Sequence, residues 1–430
     1  MRTNSLAVNT ELATNTIATK LRGDAKITSH LSPLPSGEGT DEGSGNIGSY
    51  FCVALYPWPQ SILFGVERTF NMNRHRLLAL LITITLVAPL YGAPPADRSA
   101  SGGEKSTAKA QTSENGPFTL VAIPDTQVYA KNDLNWVAWS RVEILTQMTS
   151  WIADNTHRHN IRFALHMGDI VTTHDSPDEW SNVNKAMTIL DDVVPYCFTV
   201  GNHDLAMEGP HLRDSKWFNK TFPYKRYEKK PWYGGRMADD GFLPKDNYDN
   251  SYHFFTGAGQ KFLIVSLEVG PTNKMLDWAD GIISKHPDHR TIVITHSYMD
   301  GHDVRDGPGG YGYLPPGEAN TGEEIWQKLI RKHKSIFFVL NGHLSNKDEH
   351  RGLLASRGDH GNTVYQLLSG QDYDGWLRLL HFVPDEDKIV VKTYSPWKPK
   401  DPANQMQEYG FALPGYRVDS SHEYELPYVH

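Results

Sequence analysis

The chain has 430 residues, of which 39% are hydrophobic and 11% aromatic, and its formal net charge at pH 7 is −8. The aromatic content argues against a wholly disordered chain. The acidic balance gives no electrostatic reason to expect a nucleic-acid partner, and we find no nucleic-acid-binding signature. A chain of this length is long enough for two or three domains.

A pattern typical of a secretion signal occurs inside the N-terminal region. From Met72 the sequence reads MNRHRLLALLITITLVAPLYGAPPA, a basic segment and an apolar run that ends at small residues, as in a signal peptide. A buried helix or a retained membrane anchor is the alternative. We predict a spurious, disordered upstream extension over 1–71, a signal peptide over 72–93 and a flexible linker over 94–116. The mature protein is then expected in the periplasm or outside the cell, with no stable membrane span after signal cleavage.

Strands and helices are predicted to alternate after the linker. Apolar runs predict strands that lead into polar loops at 118–127, 161–171, 195–204, 261–270, 289–299 and 334–344. Apolar residues at helical spacing predict helices over 139–160 and 179–193. Such alternation is typical of βαβ units around a largely buried sheet, so the fold class is α/β.

Three further parts of the chain depart from this alternation. Residues 205–250 are rich in Lys, Tyr, Trp, Gly and Asp and predict a long surface insertion near the strand ends. The segments 363–370, 377–383 and 388–396 have no helices between them, which predicts antiparallel strands. We place the main domain at 117–398 and a C-terminal extension, packed on that domain, at 399–430.

Polar side chains able to bind metal follow five of the predicted strands. They occur at Asp125-Thr126-Gln127, Gly168-Asp169, Gly201-Asn202-His203-Asp204, Thr295-His296 and Gly342-His343. Because sites in open α/β sheets form beyond the carboxyl ends of the strands, these loops can converge in space. Carboxylates, imidazoles and amide oxygens suit divalent ions such as Mn²⁺, Fe²⁺ and Zn²⁺. Each short motif alone is also explained by turn formation, but the ordered series predicts a metal site.

The ordered series resembles the calcineurin-like metallophosphoesterase superfamily, whose pattern is DxH, GD, GNH(D/E), H and GHxH. The resemblance covers the predicted main domain and is closest to a bacterial exported branch with Gln in the first motif. It implies a four-layer αββα sandwich, in which two mixed β-sheets are flanked by helices.

The resemblance also implies a metal centre. Its ligands would be Asp125, Gln127, Asp169, Asn202, His296 and His343. Asp169 would bridge two ions. Asp125 and Gln127 would bind the first ion, and Asn202, His296 and His343 would complete the second. Two departures weaken the first site: Gln127 replaces the usual histidine, and Ser345 stands where the second histidine of GHxH is expected. One or two ions (Mn, Fe or Zn) are therefore expected, with Asp348, His350 or water as compensating ligands.

The catalytic residues implied by the resemblance are His203, Asp204 and Asp169. A metal-bound hydroxide would attack phosphorus in a phosphate mono- or diester. His203 would meet the substrate phosphate and protonate the leaving group, with Asp204 orienting its ring. Asn202 and Tyr298 are further candidates for contact with substrate, and Tyr298 could equally line the cleft.

The expected function is a metal-dependent phosphoesterase acting on a phosphorylated substrate that the sequence does not identify. The main alternative is a degenerate, non-catalytic metal-containing binding protein of the same fold, favoured by Gln127 and Ser345. A third hypothesis is a metallohydrolase that cleaves another bond, such as a carboxylic ester or an amide.

Overall fold

The structure, a computed structural model, describes residues 47–48, 70–71, 116–131, 141–206, 213–242, 244–305, 319–343, 351–370, 374–398, 415–417, 420 and 422–428. The chain divides into two compact units, residues 1–103 and 104–430. In the first unit, β1 (Ile47–Gly48) and β2 (Phe70–Asn71) form an antiparallel pair. The predicted signal peptide at 72–93 lies outside the described residues. Within the part of the chain that is described, no helix is both long and apolar enough to cross a membrane.

The first of two large sheets in the second unit, sheet I, contains the strands that begin the domain. Its members are β3 (Phe118–Ile123), β4 (Ile161–His166), β5 (Tyr196–Phe198), β13 (Leu377–Val383), β14 (Lys388–Ser395), β15 (Gly415–Arg417) and β16 (Tyr424–Pro427). The strand order is β15-β14-β13-β3-β4-β5, and β16 also pairs with β14. Strands β3, β4 and β5 are parallel, whereas β13 joins both β3 and β14 in antiparallel fashion, so the sheet is mixed.

The second sheet, sheet II, is built from the middle of the chain. Its members are β6 (Tyr233–Arg236), β7 (Ser251–Gly257), β8 (Gln260–Leu267), β9 (Arg290–Thr295), β10 (Ile336–Asn341), β11 (Arg351–Arg357) and β12 (Thr363–Ser369). The order is β11-β12-β10-β9-β8-β7-β6. The central strands β8, β9, β10 and β12 are parallel, and both edges are antiparallel.

Six described α-helices accompany the sheets. They are α1 (Gln127–Ala130), α2 (Arg141–Asn155), α3 (Pro177–Met187), α4 (Lys216–Thr221), α5 (Asn273–Lys285) and α6 (Gly322–Lys328). Local sequence sets several of their N-termini: the Ser176 side chain accepts a hydrogen bond from the Glu179 backbone before α3, and Thr321 and Glu324 form a capping box before α6.

Alternating side chains place each sheet between two hydrophobic layers. Phe118 and Leu120 of β3 enter the core between the sheets, whereas Val121 enters the core under α2 and α3. Across the central layer, the ring centroids of Phe118 and Phe262 are 5.4 Å apart. On the far side, α5 and α6 cover sheet II. The architecture is therefore helix–sheet–sheet–helix, which confirms the predicted αββα sandwich.

Two predictions of local structure need correction. The 205–250 segment is more than a surface insertion, since it contributes α4 and edge strand β6, and Phe218 and Tyr248 are buried in the core on the helix side of sheet I. Of the three late segments, 377–383 and 388–396 pair with each other in antiparallel fashion, whereas 363–370 belongs to sheet II, where β12 is antiparallel to β11 and parallel to β10. In the described part of residues 399–430, β15 and β16 pair with β14 of sheet I.

Candidate metal centre

The ligand-bearing loops come from both sheets and meet at one edge. Asp125, Asp169 and Asn202 follow β3, β4 and β5 of sheet I, and His296 and His343 follow β9 and β10 of sheet II. Within each group the strands are parallel, so their carboxyl ends share an edge. The structure therefore brings together the loops that the sequence series predicts.

Asp169 and His296 occupy the middle of the cluster. Asp169 Oδ1 lies 3.1 Å from His296 Nε2, which in turn lies 3.1 Å from His343 Nδ1. One ligand atom from each of these three side chains lies within 4.8 Å of the others. The backbone N–H of His343 donates to Asp125 Oδ2 at 3.0 Å, which fixes that buried carboxylate beside the group. The arrangement is compact enough for the side chains to share a cation.

Burial and mutual charge shift the pKa values of the central residues strongly. Burial raises the pKa of Asp169, but the charge and hydrogen bond of His296 outweigh it and bring the pKa to about 2. Burial lowers the pKa of His296, but Asp169 and Asp125 raise it to about 9. Burial raises the pKa of Asp125 well above its ordinary value. Positive charge near Asp169 thus keeps this carboxylate ionised, and a bound cation would favour the ionised form of the carboxylates in the same way.

Glycines allow the ligand side chains to pack directly against the main chain. A Cβ atom on Gly201 would lie 2.1 Å from Asp169 Oδ1, and one on Gly342 would lie 2.2 Å from Asp125 Oδ1. Neither approach leaves room for a side chain. The glycines in GNHD and GH are therefore required by contact with the carboxylates.

Two buried side-chain amide oxygens at the cluster show whether its residues fit a metal. Gln127 Oε1 and Asn202 Oδ1 are both buried and have no hydrogen-bond partner among the described residues. Gln127 Nε2 donates to Asp169 Oδ2 at 3.2 Å, so its amide borders the carboxylate cluster. A buried acceptor without a partner costs about 1–3 kcal/mol, and an ion would offset that cost. These donors, with carboxylates and imidazoles, fit a divalent metal.

His203 is held by a backbone group. Its ring is exposed, and Nδ1 lies 2.9 Å from the carbonyl oxygen of Thr172. Since a carbonyl can only accept, Nδ1 donates and Nε2 is the nitrogen left to face a ligand. The backbone N–H of His203 also donates to Asp169 Oδ1 at 3.0 Å, which ties the imidazole to the metal cluster. The sequence prediction missed Thr172, because a main-chain contact leaves no residue-type signal.

Asp204 has a different role from the predicted one. Its Oδ1 accepts from the backbone N–H groups of Ile170 and Val171, and its Oδ2 accepts from that of Gly201. Burial and the charge of Asp169 raise its pKa to about 7. Asp204 therefore holds the loops after β4 and β5 together, and Thr172 orients the His203 ring in its place.

Replacing Asp204 with Asn is expected to destabilise the fold by about 1–3 kcal/mol, because the amide NH₂ faces at least one buried backbone donor that then lacks an acceptor. Urea unfolding of metal-free protein measures the change. Asp154→Asn, an exposed carboxylate on α2, is the matched control and should leave the unfolding free energy unaltered. Equal stability of the Asp204 variant and wild type would contradict this role.

Tyr298 lies away from the cluster that the other predicted residues form. It is 2% exposed, packs in the core beneath α5 and α6, and donates its hydroxyl to Gln366 Oε1 at 2.9 Å. This burial argues against the predicted contact with substrate. The sequence signal was only its position two residues after His296, in the bend that follows β9. Ser345, Asp348 and His350 lie outside the described residues.

Comparison with known proteins identifies a family that this chain matches in sequence. The calcineurin-like phosphoesterase family model matches residues 118–345. The uncharacterized protein YvnB of Bacillus subtilis (strain 168) is 28% identical over 290 residues, which cover 65% of this chain and 20% of YvnB. The chain thus spans about a fifth of the length of that curated relative.

Two solved structures show a looser likeness. Purple acid phosphatase PPD1 from yellow lupin (Lupinus luteus) seeds has a TM-score of 0.41 and 13% identity, covering 65% of this chain and 52% of that one. The 5′-nucleotidase of Candida albicans has a TM-score of 0.36 and 13% identity, covering 61% and 48%. The sequence match is the stronger finding, since it spans more than half of the chain and includes every ligand loop at the shared sheet edge. The chain belongs to the calcineurin-like phosphoesterase family.

Proposed function

We propose that this chain is an exported metal-dependent phosphoesterase that hydrolyses phosphate mono- or diesters. The observation that carries the proposal is the convergence of carboxylates, imidazoles and two unpartnered amide oxygens at one sheet edge. Family membership supports phosphate esters as the substrate class. The Gln of the first motif and the sequence from Met72 support assignment to an exported branch.

One or two divalent ions, Mn, Fe or Zn, would be held by these residues. Asp125 and Gln127 would serve a first site and Asn202 a second, with Asp169 shared between them. The imidazoles of His296 and His343 would complete the second site, which keeps all of its expected ligands. Bound ions would neutralise the phosphate oxygens and lower the pKa of the attacking water. Gln127 offers a neutral oxygen where a histidine nitrogen is usual, which supports a weaker first site with preference for harder ions.

The chain's own groups supply orientation and a proton. His203, exposed and anchored at Nδ1 by Thr172, can present a protonated Nε2 to the oxygen of the leaving group. Its backbone link to Asp169 keeps that nitrogen close to the ligand cluster. Asp204 contributes by holding the two loops that carry His203 and Asp169 in register. The Asn202 side chain would bind the second ion through its unpartnered oxygen and contact the substrate phosphate.

Removal and return of metal tests the proposal. The full chain, stripped of metal by a chelator, is expected to lose hydrolysis of a chromogenic phosphate ester and to recover it with Mn²⁺. Parallel assays with a monoester and a diester report the substrate preference. Inactivity with Mn²⁺, Fe²⁺ and Zn²⁺ alike on both esters would contradict the proposal and favour a non-catalytic metal-containing binding protein.

A further inference from the structure

A second group of carboxylates lies outside the candidate metal centre. It consists of Asp240 after β6, Asp249 before β7 and Glu268 after β8, and all three side chains are buried. One carboxylate oxygen from each lies within 4.8 Å of the other two. We call these residues the acidic triad. Two of its members belong to the 205–250 segment and the third to the strand end of sheet II.

The positive charge that pairs with the acidic triad among the described residues is smaller than the negative charge of its three carboxylates. Among the described residues, only Arg213 forms an ion pair with a member of the triad, through Glu268 Oε1. The same guanidinium also donates to the backbone carbonyls of Val269 and Gly270. Three carboxylates against one guanidinium leave two negative charges in a buried site, which is costly unless a cation or protons neutralise them.

An unpartnered oxygen at the triad gives an independent indication of a ligand. Asn247 Oδ1 is buried without a hydrogen-bond partner among the described residues, on a fully buried amide whose Nδ2 donates to Asp240 Oδ2 at 2.9 Å. Glu268 Oε2 is also buried and makes no hydrogen bond of regular geometry there, although the Asn250 side chain interacts with the Glu268 carboxylate. Proton uptake by a carboxylate would leave the Asn247 oxygen unsatisfied unless that proton points to it. A cation can bind several oxygens at once, and the Asn247 amide already borders the triad through Asp240.

We propose that the acidic triad, with the Asn247 side-chain oxygen, binds one Ca²⁺ ion. All the donor atoms are oxygens, which is the ligand set of a hard cation, and Ca²⁺ tolerates irregular arrangements of carboxylates and amide carbonyls. The absence of an imidazole among these donors separates the site from the metal centre around His296. A charge of +2 balances the two negative charges that Arg213 leaves uncompensated.

The bound ion would connect the inserted segment to the ligand loops. The backbone carbonyl of Glu268 accepts from Thr295 Oγ1, one residue before His296, and the backbone N–H of Val269 donates to the Val200 carbonyl. Ca²⁺ would thus join the segment containing Asp240 and Asp249 to the end of β8. That strand end contacts the loops that carry His296 and Asn202. The expected role is structural, and it does not depend on the proposed phosphoesterase activity.

Thermal unfolding of the full, metal-stripped chain in a Ca²⁺ series tests the site. The unfolding midpoint of the wild type is expected to rise with the logarithm of Ca²⁺ concentration, as binding to the folded state alone requires. Asp240→Asn should lose this rise, and calorimetry should show one Ca²⁺ equivalent fewer than in wild type. A wild-type midpoint that Ca²⁺ leaves unmoved would overturn the proposal, whatever the variant does.

Two controls separate the triad from other carboxylates. Asp239→Asn changes the exposed neighbour that pairs with Lys245 and should keep the full Ca²⁺-dependent rise. Asp169→Asn removes the central ligand of the catalytic candidate and should also keep it. If the rise disappears in the Asp169 variant and survives in the Asp240 variant, Ca²⁺ binds at the metal centre and the triad proposal is wrong.

Discussion

Replacing Asp169 with Asn is expected to lower metal-dependent ester hydrolysis by more than about 100-fold, since even partners behind a metal ligand are worth about 10–100-fold. Asp169 accepts from Gln127 Nε2 and from the His203 backbone N–H, and it also contacts His296. An amide has one acceptor oxygen and a donor NH₂ in place of the second. The substitution therefore disturbs several members of the site together.

The kinetic measurement is kcat/KM for a chromogenic phosphate ester at saturating Mn²⁺, with Mn²⁺ binding followed by calorimetry. Both kcat/KM and the affinity for Mn²⁺ are expected to fall in the Asp169 variant. Asp154→Asn, on the exposed face of α2, makes the same chemical change far from the cluster and should retain wild-type values. Full activity in the Asp169 variant would refute its role as a shared ligand.

The effect of His203→Gln is expected to depend on the leaving group. General acid catalysis contributes about 10²–10⁴-fold, and glutamine keeps hydrogen bonding while it removes the transferable proton. An alkyl phosphate has a basic leaving oxygen, so its hydrolysis should fall by a factor in that range. A nitrophenyl phosphate releases a weakly basic oxygen that needs no proton, so its rate should fall much less.

A series of phosphate esters with graded leaving-group pKa measures this as a slope. The Gln variant should show the steeper decline of log kcat/KM with leaving-group pKa. His360→Gln, an exposed histidine bonded to the Lys332 carbonyl, is the matched control and should keep the wild-type slope. A uniform loss across the whole series would instead assign His203 to phosphate binding.

The sequence predicts the sheet edge well because short-range signals determine it. Apolar strands such as β3 and β4 end where the chain changes to glycine and polar residues, and parallel neighbours then share one edge. The layer order could be predicted through the family resemblance. Membership of individual strands was harder to predict. The 363–370 strand does pair in antiparallel fashion with β11, but it lies in sheet II, and its other neighbour is the parallel strand β10. Such pairing partners are set by contacts far apart in the chain.

Side-chain roles were predicted less reliably than side-chain locations. Asp204 follows His203 directly, which suggested a histidine–carboxylate pair, but the turn that begins at Gly201 directs the carboxylate to backbone donors instead. The acidic triad shows the same limit, because Asp240, Asp249 and Glu268 are distant in sequence and no spacing rule connects them. Folding of the 205–250 segment onto sheet II brings them together.

The division of the ligands between two sheets has a mechanical consequence. The carboxylates extend from one sheet and the imidazoles from the other, so the distance between these halves depends on how the sheets are spaced. Side chains of the central layer beside the ligand loops, among them Met167, Ile294 and Leu340, fill the space between the sheets. The affinity for an ion at this edge would therefore depend on packing in the interior, and a cavity opened among these side chains would weaken ion binding without altering a single ligand.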